Sequence, residues 1–235
     1  MGSTFYGVDF FPEGVLQKEI DKVIDRVHRA KETKNIHKNV LDPFATVFEA
    51  ALTRLSVEQW LEQEVIRQTN KALSNAIGDF HQAMIGFLPG WQSLGGSGKR
   101  FDVVHEGSFG VTQQPVIADV KNKFNTLNAS GKEKLYQEFM EAKRLPEYKK
   151  YTCYLVEVIQ KHPTGDREWA PSDFGTRPDI RIIGARELYE LSTGDKDAFT
   201  KFFNAIVHYL HDTYGQQGSA LTSPLITELF TRAFE

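Results

Sequence analysis

Two β-branched runs, "VIADVKNKF" at 116–124 and "YTCYLVEVIQ" at 151–160, flank "GKEKLYQEFMEAKRLPEYK", a segment whose apolar residues recur at helical spacing. No other feature limits the fold as much. A strand that returns to lie parallel to its neighbour needs a long crossover, usually a helix. The pattern therefore predicts a mixed sheet with helices on its faces. "RFDVVHEG" before this unit and "DIRIIGARELYEL" after it read as further strands.

Ahead of the sheet the chain reads as helical. Between Glu13 and Lys38, residues Val15, Leu16, Ile20, Val23, Ile24 and Val27 keep a helical apolar spacing with charges between them. "LDPFATVFEAALT" follows as a second helix, with Asp42 as cap and Pro43 in its first turn, and Ser56 opens a long third one running to Gly86. "LPGWQSLGGSGKR" ends this pattern, and "DKDAFTKFFNAIVHYLHDTY" closes the chain as another amphipathic helix. The expected architecture is one α/β (α+β) domain over 1–235. It comprises a mainly helical part at 1–92, a sheet core at 99–191 and a helical C-terminal part at 195–235.

Composition narrows the function classes. Cys153 is the single cysteine and lies inside an apolar run, so it forms no intrachain disulfide and reads as a small core residue in a reducing compartment. "MGSTFYGVDFFPEG" lacks a basic start followed by a long apolar segment, and no window reaches the length of a membrane span, so a cytoplasmic protein is expected. A formal charge of -3 argues against a generic nucleic-acid coat. Locally the balance reverses, with eight cations against four carboxylates from Lys121 to Lys150, a pattern that a solvated helix face also produces.

Several signatures fail on inspection. "GGSGKR" resembles a phosphate loop, but Ser93 stands where its first glycine belongs and Arg100 follows Lys99, so it reads as a loop. His208 and His211 lack the spacing of a zinc-protease helix. No G-x-S-x-G elbow occurs, and a mid-strand cysteine gives no basis for acyl transfer.

What remains is the interruption of "VIADVKNK" by Asp119, Lys121 and Lys123. An acid two residues before a lysine also occurs at Glu32, Glu141 and Glu147, all in polar, helix-like surroundings. Only Asp119 and Lys121 follow a strand, where side chains two apart share a face at a spacing of roughly 7 Å. An antiparallel pairing with "RFDVVHE" through "GSFGVTQQP" would bring Asp102 alongside. Paired carboxylates repel unless a cation or proton lies between them. Oxygen-only ligands with room for water and phosphate suit Mg²⁺, while a neighbouring lysine can orient water and stabilise charge on a phosphate. Asp102, Asp119 and Lys121 thus form a minimum set for metal-dependent phosphodiester hydrolysis. A surface strand with alternating solvated charges is the competing reading.

An acid on one strand, an acid-x-lysine on the next and a helical segment ahead of both resemble the PD-(D/E)XK nuclease superfamily. "NKALSNAIGDFHQAMIG", "ADVKNKFNTLNASGKEKLY" and "ELYELSTGDKDAF" are similar to small type II restriction endonucleases of the SinI kind, which cut GGNCC or GGWCC sites. The likeness runs from about Asn70 to Phe203, and "DVKNKFNTLN" is its most specific part. It implies a restriction-endonuclease-like core, with Asp102 as first acid, Asp119 as second and Lys121 as the lysine. Asp79 falls where relatives often carry a further acid, an outer or second-metal ligand. Phe101 stands in place of the proline of the family name, and Asp119 is one methylene shorter than the glutamate of many relatives.

The resemblance further implies sequence-specific, Mg²⁺-dependent cutting of double-stranded DNA to 5′-phosphate and 3′-hydroxyl ends. It also implies a homodimer on a palindromic site, and a cognate DNA methyltransferase acting without a stable complex. Asn122, Lys123, Asn125, Thr126 and Asn128 follow directly and can contact phosphates and base edges, unless they form a polar loop that caps the next helix through Ser130. Arg177 and Arg181 in "WAPSDFGTRPDIR" are candidate guanine readers, while Trp169 there can equally be core. A structure-specific repair or recombination nuclease, or a non-catalytic DNA-binding protein, fits the same residues.

Overall fold

Asp42 and Ser56 act as helix starts in the way their residue types dictate. In the computed structural model, which describes residues 7–32, 41–95, 100–162, 165–215 and 223–234, the chain divides into two compact units, 18–80 and 1–17 with 81–235. The first carries most of α1 (Val15–Glu32), α2 (Pro43–Thr53) and most of α3 (Val57–Gly86). Residues 33–38 of the expected first helix, and Gly96 to Lys99 of the rejected phosphate loop, lie outside the described residues.

The Asp42 carboxylate accepts the backbone N–H groups of Phe44 and Ala45, satisfying donors that a helix start leaves open. Ser56 and Gln59 exchange hydrogen bonds, Gln59 N–H to Ser56 Oγ at 3.3 Å and Ser56 N–H to Gln59 Oε1 at 3.0 Å, a capping box at the head of α3. Glu49 joins α2 to α3 by accepting from the Trp60 indole at 2.8 Å and from Arg67 at 3.3 Å.

The second unit is built on a six-stranded mixed sheet flanked by helices. Its strands are β1 (Trp91–Ser93), β2 (Val103–Phe109), β3 (Gln114–Lys123), β4 (Thr152–Ile159), β5 (Arg167–Glu168) and β6 (Ile180–Gly184), in the order β1-β2-β3-β4-β6-β5. The β1–β2–β3 pairs are antiparallel, β3–β4–β6 parallel and β5–β6 antiparallel. The β3–β4 crossover runs through α4 (Ala129–Ala142), as the helical spacing between the two runs predicts.

One face of the sheet packs Val104, Ile117, Cys153, Leu155, Ile180 and Ile182 against Leu135, Tyr136, Phe139 and Ala142 of α4, with Phe101 and Trp169 in the same cluster. Trp169 is therefore core. Cys153 is fully buried there, and burial pushes its thiol up to about 12. The alternate residues Val116, Ala118, Val120, Val156 and Val158 are buried too. Both faces of the central strands are thus dry, the condition under which a strand reads as a near-continuous apolar run.

Two expectations need correction. "DIRIIGARELYEL" is a strand only over Ile180–Gly184; Ala185–Thr193 is helix α5. Ala185, Leu188 and Tyr189 bury one helical face, and Gly194 ends the helix in the left-handed region at φ 73°. A short apolar run does not distinguish strand from helix, and the tertiary contacts of these three residues decide it. The α4 pattern, expected to reach Lys149, ends at Ala142, and Pro146 opens a separate 3₁₀ turn ending at Tyr148. Helices α6 (Ala198–Tyr214) and α7 (Pro224–Phe234) complete the unit. Phe203 of α6 stacks on Phe230 of α7 at 4.4 Å between ring centroids.

A buried ion pair ties the crossing loops to the sheet. Arg181 on β6 donates from Nε to Asp166 Oδ1 at 2.5 Å, and Asp166 Oδ2 accepts from the Tyr154 hydroxyl at 2.6 Å and from Val111 N–H at 3.1 Å. The Asp166 and Arg181 side chains are 1 % and 8 % exposed. Asp166→Ala, which strands the guanidinium in a dry site, should lower unfolding free energy by about 3–5 kcal/mol in a urea titration. Adding Arg181→Met should recover much of that loss.

Candidate active site on one face of the β2–β3–β4 ladder

The register of β3 decides which side chains meet. Val103 lies opposite Ala118 and Val104 opposite Ile117 in the antiparallel ladder, and Asp102, immediately before β2, continues it by donating its N–H to the Ala118 carbonyl at 3.0 Å. That places the Asp102 side chain beside β3, where Oδ2 accepts Val120 N–H at 2.8 Å. On β3, Asp119 and Lys121 share the face of Ile117, the face that packs under α4.

The Asp119 carboxyl stands well away from its ordinary value. Its Oδ1 lies 2.5 Å from Lys121 Nζ, and the two side chains are 16 % and 22 % exposed. The ammonium is beside Oδ1 but not aligned on it, so the atom is buried with an ion pair and without a directed hydrogen bond. Burial raises the Asp119 carboxyl to about 6, Lys121 opposes the rise, and Asp102 adds to it, with a smaller contribution from Glu138. Two carboxylates and one ammonium therefore converge where the apolar face of the sheet ends.

The parallel ladder adds a fourth group that pattern reading alone does not single out. Asp119 lies opposite Leu155 and Lys121 opposite Glu157 on β4. Glu157 is the lone acid in the otherwise apolar run "TCYLVEVI" and is buried. The isolated carboxylate was visible in the sequence; its pairing with Lys121 depends on the parallel register.

The remaining candidates fall in several settings. Asp79 belongs to the 18–80 unit and is ion-paired with Arg26. At the end of β3, Asn122 is half-buried and Lys123 exposed, and beyond the strand Asn125 is exposed. Thr126 Oγ1 accepts the Lys123 N–H at 3.2 Å, closing the turn. Asn128, rather than Ser130, is the N-cap of α4, and its Oδ1 accepts from Gly131 N–H at 2.8 Å and Ser130 Oγ at 3.1 Å. Arg177 is partly exposed and forks onto Asp179 at 2.9 and 3.1 Å. Arg181 is buried against Asp166, with its donors turned to the protein's own carboxylate and carbonyls.

Among the described residues no helix is long and apolar enough to cross a membrane. Comparison with known proteins gives this geometry its context. The model of the Eco47II restriction endonuclease family matches residues 8–214. The type II restriction enzyme Eco47II of Escherichia coli is 31% identical over 230 residues, covering 91% of this chain and 92% of that enzyme. The type II restriction enzyme Sau96I of Staphylococcus aureus is 28% identical over 234 residues, covering 93% of this chain and 83% of its own. With a family match across the sheet and its helices, and relatives aligned over nearly their whole length, the chain belongs to the Eco47II family of type II restriction endonucleases and is a site-specific deoxyribonuclease.

Proposed function

We propose that the chain is a Mg²⁺-dependent nuclease of the PD-(D/E)XK kind. In this reading it cuts both strands of double-stranded DNA at a short palindromic GGNCC- or GGWCC-like site, as a homodimer in the bacterial cytoplasm beside a cognate methyltransferase. The observation that carries it is the convergence of Asp102, Asp119 and Lys121 on one face, at the end of a strand that is otherwise dry on both sides.

The donor set fits a hard cation. Asp119 Oδ1 is buried without a directed hydrogen bond, and the Asp102 carboxylate lies beside the same strand, accepting Val120 N–H. Among the described residues no group of three or more His, Cys, Asp or Glu could hold a metal ion. Two protein carboxylates with the rest of the shell left to water and phosphate is the arrangement Mg²⁺ takes. Bound there, the ion would polarise the phosphate and make a water more acidic.

The chain's own residues supply the rest. Lys121 orients the attacking water and stabilises the charge that gathers on the phosphate oxygens. The water oxygen bonds to phosphorus in line with the departing O3′, the P–O3′ bond breaks, one proton leaves the water and O3′ takes one up. The products are a 5′-phosphate and a 3′-hydroxyl. Asn122, Lys123, Asn125, Thr126 and Asn128, with Arg177, form the DNA-contacting set. Arg181, enclosed by Asp166, is left out of it.

Cutting both strands of a palindrome calls for two active sites about a two-fold axis. Discrete bands from a digested phage genome, mapped at their ends, test the sequence specificity; a smear would point to a structure-specific nuclease. Lys121→Ala should lose cleavage while retaining DNA binding in a gel-shift assay, and cutting at the normal rate would remove the lysine from the mechanism.

The raised Asp119 carboxyl has a pH consequence of definite sign. Its value rises from 3.8 to about 6 in the metal-free fold, so the neutral form is favoured by folding. The penalty for ionising it is absent below the lower value and fully present above the higher one, amounting to roughly 3 kcal/mol. Asp119→Asn should therefore melt several degrees above the wild type in EDTA at about pH 8, with the curves converging as pH falls toward 4. It should not cut. In the wild type, cleavage should rise as pH increases through about 6, because protons compete with the cation for Asp119.

A further inference from the structure

Central strand β4 carries a buried carboxylate that the fold itself does not require. Every residue of "TCYLVEV" is buried, and Glu157 is the only one of them with an acidic carboxyl. Burying an ionised group is costly unless charges compensate it, and an apolar residue or a neutral amide would fill the same volume at lower cost. Burial pushes the Glu157 carboxyl above its ordinary range, opposed by Lys132 from the first turn of α4 and by Arg167 on β5.

Its register explains why an acid would be kept here. Glu157 lies directly opposite Lys121 in the parallel β3–β4 ladder, and residues so paired project from one face with Cβ atoms about 5 Å apart. Lys121 presently leans on Asp119. A cation held by Asp102 and Asp119 would take that carboxylate from the lysine, leaving Glu157 as the acid paired with Lys121 across the ladder. No group of three or more potential ligands among the described residues includes Glu157, which argues for a partner of the lysine rather than a third metal ligand.

Resting on the nuclease reading above, we propose that Glu157 is a positioning residue for Lys121. It receives the ammonium when Asp119 engages the metal, and holds it charged and aimed at the water and the scissile phosphate. Arg167 shares this face, because it lies opposite Ile182, which lies opposite Leu155. With Lys132 it opposes the effect of burial on the Glu157 carboxyl.

The test uses the full chain, a plasmid bearing GGNCC sites, and three measurements: the single-turnover cleavage rate with Mg²⁺, affinity for the same DNA with Ca²⁺ in its place, and the melting temperature. Glu157→Gln keeps the shape and removes the charge. It should melt at or above the wild-type temperature, bind within about twofold, and cut about 10- to 100-fold more slowly, the range seen for residues that orient catalytic groups. Glu157→Asp, which restores the charge, should recover most of that rate.

Cutting by Glu157→Gln at the wild-type rate would overturn the proposal. So would a binding loss as large as the rate loss, or failure of Glu157→Asp to cut faster than Glu157→Gln. If the wild type cuts, Lys121→Ala does not, and Glu157→Gln is unaffected, the nuclease reading stands and only this role falls. If the wild type leaves plasmid and phage DNA intact with Mg²⁺, the nuclease reading itself fails.

Discussion

The register of β3 underlies the arrangement of the candidate site. This strand is antiparallel to β2 on one side and parallel to β4 on the other, and each ladder fixes one relation: Asp102 beside β3, and Glu157 opposite Lys121. Because side chains alternate with period two, a slip of one residue would carry Asp119 and Lys121 to the opposite face. The dry apolar residues on both faces, from Val116 to Val120 and Cys153 to Val156, make such a slip expensive, since it would misplace the whole core pattern. Precision at the charged end of the strand follows from packing at its apolar end.

That arrangement also clarifies the electrostatics. Asp119 is held at the edge of the core, close enough to Asp102 for repulsion and near enough to Lys121 for an ion pair. Partial burial makes the site responsive: the same carboxylate fully solvated would have little reason to attract a cation, and fully enclosed it would stay protonated. The neighbouring Asp166–Arg181 pair shows the contrasting solution, with every charge matched by the protein's own groups.

Much of the local geometry was legible in residue order, for physical reasons. Asp119 and Lys121 are two apart on a strand, and Asp102 is brought to them by a hairpin, so their juxtaposition depends on contacts close in sequence. The α4 crossover was legible because helical spacing between two β-branched runs leaves few other topologies. Positions set by contacts distant in sequence were not legible. The environment of Arg181 depends on Asp166, Tyr154 and the Val111 loop meeting in space, and the helical state of Ala185–Thr193 depends on what Leu188 and Tyr189 pack against. The choice of Asn128 over Ser130 as cap turned on where α4 begins, a boundary that pattern resolves only to within a residue or two.

The sheet ends in very short strands, three residues in β1 and two in β5. An extended peptide needs a run of unpaired backbone groups to add itself to a sheet, and neither edge offers a long one. Growth by strand addition, a common route from a mixed sheet to fibrils, therefore has little template here. By the same reasoning, a second copy joining this chain would meet it through side chains of helices and loops rather than by continuing the ladder.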